Sequence, residues 1–151
     1  MDQIIVFSLD QQGYALPLNN VARVIHAVEI TDLPKSPDII SGIINVKGQI
    51  IPVVDVRKRF GFTSRELSPD DQMIIAYTRK RQIALLVDQV SGIQKVSSTQ
   101  LVNTKETMPY AEYIGGVAKI EDDLILIYDL EQFLNLNEEM ELEQAISKIY
   151  K

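Results

Sequence analysis

Two small β-barrels, built on one duplicated plan and packed together, are what this 151-residue sequence predicts. Three observations carry that expectation. Short apolar runs alternate with polar turn residues, no long helical pattern falls between them, and one 19-residue stretch recurs without a gap. Short helical turns and a C-terminal helix complete the mostly β plan.

The recurring stretch is Gly42–Phe60, GIINVKGQIIPVVDVRKRF. It predicts an apolar strand, a tight turn at Lys47-Gly48, a second apolar strand and a short helix capped by Asp55. Ile and Val fill both strands and suit a pleated, buried surface. Gly48 takes positive φ at no steric cost, which puts the turn there. Pro52 lacks an N–H and belongs at an edge or bulge, where no ladder bond is required. Asp55 can accept from the free N–H groups of the Val56–Phe60 turn. Shifted by 74 residues, the stretch falls on Gly116–Leu134, GVAKIEDDLILIYDLEQFL. Gly42 then meets Gly116, Asp55 meets Asp129, Val53 meets Ile127 and Phe60 meets Leu134. The turn Lys47-Gly48-Gln49 lies opposite Glu121-Asp122-Asp123, which is also polar. Buried positions and the cap recur while exposed ones change, as expected of shared architecture without shared chemistry.

From the N-terminus, Ile4–Asp10 alternates and ends in Asp10-Gln11-Gln12-Gly13 before the apolar run Tyr14–Leu18, a hairpin signal. Asn19-Asn20 is expected to cap one helical turn before Arg23–Val28 resumes as a strand. The layout returns 69 residues later, Ile4–Val28 falling on Met73–Ser97 and Tyr14-Ala15-Leu16 on Ile83-Ala84-Leu85. The offsets of 69 and 74 differ by a 5-residue insertion within Ser98–Gly115. One domain over residues 1–135 therefore holds repeat units at about 4–60 and 73–134, joined by the polar linker Thr63–Gln72. Each unit alone would be marginal, so the two share a core and leave a seam between them. In the tail, residues 136–151, Asn137 with Glu138 and Glu139 predicts a helix start. Leu142, Ala145, Ile146, Ile149 and Tyr150 then share one face, to be laid on the chain's own barrel or offered to a partner.

Composition narrows the function. Hydrophobic residues make up 46% and charged residues 24%, ordinary for a soluble globular chain. A net charge of −6 disfavours nucleic acid and anionic membrane surfaces as partners. No signal-peptide pattern or long apolar span is present, so a cytoplasmic protein without direct membrane insertion is expected, with no receiver or kinase domain fused to it. The absence of cysteine excludes disulfides and thiolate metal sites.

Catalytic chemistry has little to stand on. His26 is the lone histidine, its repeat counterpart is Lys95, and it is expected on the surface of a strand. No nucleophile elbow, dinucleotide fingerprint or phosphate loop occurs. Asp55 and Asp129 could act as paired carboxylates, but their matching places favour two helix caps. Asp70-Asp71 and Glu121-Asp122-Asp123 are expected as solvated turns without calcium-loop spacing. Arg57-Lys58-Arg59 and Arg79-Lys80-Arg81 are expected to be solvated, or else to form a patch for an acidic partner. No cofactor or metal is called for. Two readings stand: a non-enzymatic adaptor, and a small-ligand-binding or catalytic barrel using Asp55, Asp129 and His26.

The segment Gly42-Ile-Ile-Asn45-Val46-Lys47-Gly48-Gln-Ile50-Ile-Pro52-Val53-Val-Asp55-Val56 resembles the G-x-x-N-L-R-G-x-I-x-P-V-x-D-L signature of the CheW family of bacterial chemotaxis coupling proteins. Leu33-Pro34 and Pro37 sit where that family has a Pro-containing loop, and Leu86-Val87-Asp88-Gln89-Val90-Ser91-Gly92-Ile93 resembles its V-D-x-V-x-x-V segment. The resemblance implies two five-stranded SH3-like barrels, with the first strand free to cross and complete the second. It implies an adaptor in two-component chemotaxis signalling. Such an adaptor joins the helical-hairpin tip of a methyl-accepting chemoreceptor to the regulatory domain of the histidine kinase CheA.

On the same resemblance, the receptor tip would lie in the groove between the barrels. Val21 and Val24 would line it from the first unit and Val90 and Ile93 from the second, with Gly42, Asn45 and Lys47 at its border. Simple core residence is the alternative for the four apolar residues. Lys47 stands for the signature's Arg and lacks the planar fork that grips a carboxylate twice. Val46 replaces its Leu, and Arg23 stands where an acidic residue is expected, which implies altered charge pairing with the receptor. An adaptor in a non-flagellar chemosensory pathway fits the same residues.

Overall fold

The computed structural model describes residues 2–63, 65–96, 101–102, 114–120 and 123–149. Eleven strands and two α-helices follow one another in it. The opening hairpin is β1 (Asp2–Leu9) and β2 (Gln12–Pro17), turned at Asp10 and Gln11, both with positive φ (49° and 71°). Such a mirror-image turn matches the twist of the strands it joins. A 3-10 turn over Leu18–Asn20 leads into β3 (Val21–His26). Its capping position is Pro17 and carries no side-chain bond, so Asn19-Asn20 does not serve as the cap expected.

The signature stretch folds as its residues predict. β4 (Ile40–Val46) and β5 (Gln49–Asp55) flank Lys47 and Gly48 at φ 52° and 86°, and the Gly48 N–H donates to Asn45 Oδ1 at 2.9 Å. Asp55 caps α1 (Val56–Arg59) by accepting from the Lys58 N–H at 3.1 Å. Pro52 faces Ile43 of β4, while β5 joins its other neighbour only from Val53 onward, so the proline falls where the strand is laddered on one side. Next come β6 (Gln72–Tyr77), β7 (Gln82–Val87), β8 (Gln89–Val96), β9 (Leu101–Val102), β10 (Ile114–Ile120) and β11 (Asp123–Tyr128).

The duplication extends to irregularities of register. Bulges fall between Val21 and Arg23 opposite β6, and between Val90 and Gly92 opposite β1. A second matched pair falls between Ile40 and Gly42 and between Ile114 and Gly116. The parallel contact Val53↔Ala84 recurs as Ile127↔Ala15. The Glu121-Asp122 turn, most of the Ser98–Gly115 stretch and Tyr150 lie outside the described residues.

Sheet membership crosses the repeat boundaries. One sheet runs β8-β1-β2-β11-β10-β9, its sixth strand only two residues long, and the other runs β3-β6-β7-β5-β4. More than the first strand crosses: the whole β1–β2 hairpin joins β8–β11, and the β6–β7 hairpin joins β3–β5. Because the exchange is reciprocal, each SH3-like sheet contains strands of both repeat units. The main apolar cluster runs through both sheets, from Phe7 and Leu16 to Ile74 and Leu85.

The last helix, α2 (Leu136–Ser147), starts two residues earlier than Asn137 suggests. Asn135 and Glu138 form a reciprocal capping box, each side chain taking the other's backbone N–H. Leu142 and Ala145 are buried in the main cluster, so the helix lies on its own protein. No helix among the described residues is long and apolar enough to cross a membrane.

Candidate functional site

β3 and β8 occupy equivalent places and each is hydrogen-bonded on one side only, at the margin of its sheet. Bulges bend both, a common way to keep an edge from pairing indiscriminately. Val21 and Val24 are half-buried on β3, opposite Ala76 and Ile74. Val90 is half-buried on β8 opposite Phe7, and its N–H donates to Gln72 Oε1 at 2.7 Å. All three pack against the cluster shared by the two sheets, together with Leu18. Ile93 differs: it faces solvent at 56% exposure, large for an isoleucine on a strand.

The signature hairpin is placed elsewhere. Its β4 lies at the opposite end of the sheet from β3, with three strands between them, and its residues have local duties. Gly42, at φ 150°, faces the backbone of Thr31, where a Cβ would come within 2.3 Å of the carbonyl oxygen. Asn45 ties the turn, and Lys47 is exposed at its tip. Arg23 is exposed and, among the described residues, makes no ion pair.

The basic runs behave differently from expectation. Arg57 is nearly buried, its guanidinium donating to Asp10 Oδ2 at 2.9 Å and to both oxygens of Asp88 at 3.0 and 3.1 Å. Arg65 joins Asp88 at 2.8 Å to Asp71 at 2.6 Å. Asp71 is buried, a correction to its reading as a solvated turn. Arg59 pairs with Glu138 at 2.6 Å, and Arg81 reaches Glu139 and Glu143 of α2. These cations are neutralised within the molecule because hairpin tips and helix starts from distant parts of the chain converge on them.

Asp88 is the junction. Burial alone would raise its pKa, but the Asp10 N–H, the Arg57 guanidinium and Arg65 overcome that and hold it below the ordinary carboxylate value. Sequence reading missed this residue. A signal was present: the counterparts of Asp10 and Arg57 are Arg79 and Glu131, an exchange of sign at two positions of the repeat.

The candidate catalytic residues are dispersed. Asp55 caps α1, Asp129 caps the 3-10 turn Leu130–Gln132 by accepting from the Glu131 N–H at 3.0 Å, and His26 is exposed at the end of β3. The two carboxylates thus serve helix starts that follow strands of different sheets, as the repeat predicts.

A family model described as the CheW-like domain matches residues 3–138. Among characterised relatives, the chemotaxis protein CheW of Thermotoga maritima is 29% identical over 95% of this chain and 93% of its own. That of Klebsiella aerogenes is 24% identical over 97% and 89%. A crystal structure of the scaffolding protein TtCheW from Thermoanaerobacter tengcongensis superposes with a TM-score of 0.82 at 33% identity, covering 91% of this chain and 94% of that one. With the match spanning both sheets and the signature hairpin, the chain belongs to the CheW-like domain family.

Proposed function

We propose that this chemotaxis coupling adaptor works without turnover, joining the cytoplasmic tip of a methyl-accepting chemoreceptor to the regulatory domain of a CheA-type histidine kinase. One observation carries the reading. The equivalent margins β3 and β8 both present apolar side chains, Val21, Val24 and Val90, onto one cluster shared by the two sheets, with Ile93 exposed beside them. An apolar stripe of this kind fits the buried face of an amphipathic helix. Gly42, Asn45 and Lys47 shape the signature hairpin at the opposite margin of the β3 sheet, and exposed Arg23 and Lys47 leave positive charge for acidic partner residues. The role calls for a cytoplasmic protein held at receptor arrays through protein contacts. Capping duty for Asp55 and Asp129 favours this reading over a catalytic barrel.

The test is capture of the protein by an immobilised receptor-tip fragment. Ile93→Asp should weaken capture at least tenfold with an unchanged circular dichroism spectrum, because the side chain already stands in water. Val90→Asp should do the same at some cost in stability, since it is half-buried. Full capture of the Ile93 variant would overturn the groove assignment.

A further inference from the structure

At Asp88 the chain leaves one sheet for the other, since β7 ends at Val87 and β8 begins at Gln89. At the equivalent crossing of the first repeat the chain makes the 3-10 turn Leu18–Asn20, whose Leu18 carbonyl accepts the Val21 N–H. Val90 is the counterpart of Val21, 69 residues on, but strand resumes directly after Asp88 and supplies no such turn carbonyl. Its half-buried N–H still needs an acceptor. That acceptor is Gln72 Oε1, at 2.7 Å, reaching over from β6 of the other sheet. Gln3 holds the place of Gln72 in the first repeat and is exposed there, so the bond between the sheets is made at one of the two equivalent margins only.

Gln72 touches both margins at once. Its backbone pairs with His26 at the end of β3 and with Val87 of β7, while its side chain holds β8. The residue before it, Asp71, doubles the link. The Asp71 carbonyl accepts the Ala27 N–H, directly after β3, at 2.9 Å. Its buried carboxylate holds Arg65 at 2.6 Å, and Arg65 in turn reaches Asp88 at 2.8 Å. Asp71-Gln72 therefore grips the end of β3 with main chain and the start of β8 with side chains. Attachments at both Asp88 and Val90 fix the direction in which β8 sets out as well as its place.

We propose that the end of the linker, Asp71-Gln72 with Arg65, is a clasp that sets the spacing of the β3 and β8 margins, with Gln72 as its positioning residue. The proposal rests on the reading of those margins as the groove for a receptor helix. Ladder bonds cannot set this spacing, because β3 is laddered to β6 and β8 to β1, in different sheets. Walls already held at the separation a helix requires bind it without a further ordering cost.

The chain has no cysteine, so spin labels can be placed by Ala22→Cys and Ser91→Cys at the exposed bulge residues of β3 and β8. Double electron–electron resonance then reads the spacing of the margins in the full chain. Gln72→Met keeps the length of the side chain and removes the acceptor, whereas Gln72→Glu keeps an acceptor oxygen. One narrow distance distribution is expected for the parent and Gln72→Glu, and one at least twofold broader for Gln72→Met. Capture of the unlabelled proteins by the receptor-tip fragment should weaken at least fivefold in Gln72→Met and stay within twofold of the parent in Gln72→Glu. Equal distributions in all three proteins would overturn the clasp. So would equal weakening of capture by Met and Glu, since the acceptor would then not matter. Should Gln72→Met fail to fold, Arg65→Gln releases the other attachment and should broaden the distribution likewise, an unchanged width again overturning the clasp. If Ile93→Asp is captured in full, the groove reading falls, while the label distances, taken without receptor, still decide the clasp.

Discussion

Asp10 and Arg57 pair across one corner of the molecule, and at the equivalent places of the other corner the signs are exchanged but Arg79 meets the Glu131 carboxylate through its backbone N–H rather than its guanidinium. Around the first pair, rings are stacked and Arg65, Asp71 and Asp88 extend the charges into a network. Arg57 joins the two systems, since its guanidinium carbon lies 5.8 Å from the Phe62 ring centre. Around the second pair, aliphatic side chains leave space and α2 supplies the acids. The backbone is the same in both, down to its bulges. Duplication thus preserved hydrogen-bond register, which tolerates little variation, while the side chains that close each corner diverged. One corner became a fastening and the other a surface.

The largest expected effect tests how far that backbone equivalence goes. Gly42 and Gly116 follow the same bulge in the two sheets. Gly42 has φ 150° and would drive a Cβ into the Thr31 carbonyl, whereas a Cβ on Gly116 meets nothing within 4 Å. The segment at Thr31 is held there by two backbone bonds to Ile43, of 2.8 and 2.9 Å, so it cannot withdraw freely. Gly42→Ala should destabilise by about 4 kcal/mol through strain and overpacking together. Gly116→Ala should change stability by no more than about 0.5 kcal/mol. Urea denaturation of both variants compares them, and equal losses would show that the bulge itself, rather than its neighbour, demands glycine.

A smaller loss is expected at the fastening. Arg57→Gln leaves Asp88 partly buried with fewer donors, at a cost of about 2–3 kcal/mol, below the range for a fully buried pair because Asp10 is half in water. The pH dependence follows from the sign of the shift. Asp88 titrates below its ordinary value in the folded state, so its contribution is complete above about pH 4. That contribution is lost as pH falls through the lowered folded value. The gap between the parent protein and Arg57→Gln should therefore narrow below about pH 4, as read by denaturant midpoints along a pH series. A gap independent of pH would mean that Arg57 acts through packing on Phe62.

How much of this was legible follows from the range of each interaction. The hairpin turn at Gly48, the caps Asp55 and Asp129 and the strands of the signature are decided within a few residues, and the sequence carries them. Strand exchange is not local. A repeat shows that β2 and β7 are equivalent, but β5 can satisfy its ladder with either, so pattern alone does not choose. Asp88 was illegible for a related reason: its partners Asp10, Arg57 and Arg65 are far apart in the chain, and each alone looks like a solvated charge. Asn135 escaped notice because it falls between the end of the repeat at Leu134 and the tail, where Asn137 with Glu138 and Glu139 offers the more familiar helix start. The apolar candidates Val21, Val24, Val90 and Ile93 came from resemblance, since period-2 alternation cannot separate a seam from a core. Exposure separates Ile93 from the other three.

The smallest expected effect converts the filled corner into the hollow one. Phe60→Leu copies Leu134 and removes a ring that touches Tyr14, Tyr128 and Phe133. Leucine keeps much of the buried area, and Phe60 is itself only half-buried, so a loss of about 1.5 kcal/mol is expected, chiefly from ring contacts and incomplete collapse. Tyr128→Val copies Val54 in the same way. If the 4.1 Å stacking of Phe60 on Tyr128 matters beyond the area it buries, the double variant should lose about 1 kcal/mol less than the sum of the single ones. Strict additivity would mean that the rings act as independent space-fillers. In that case the difference between the corners is one of volume alone.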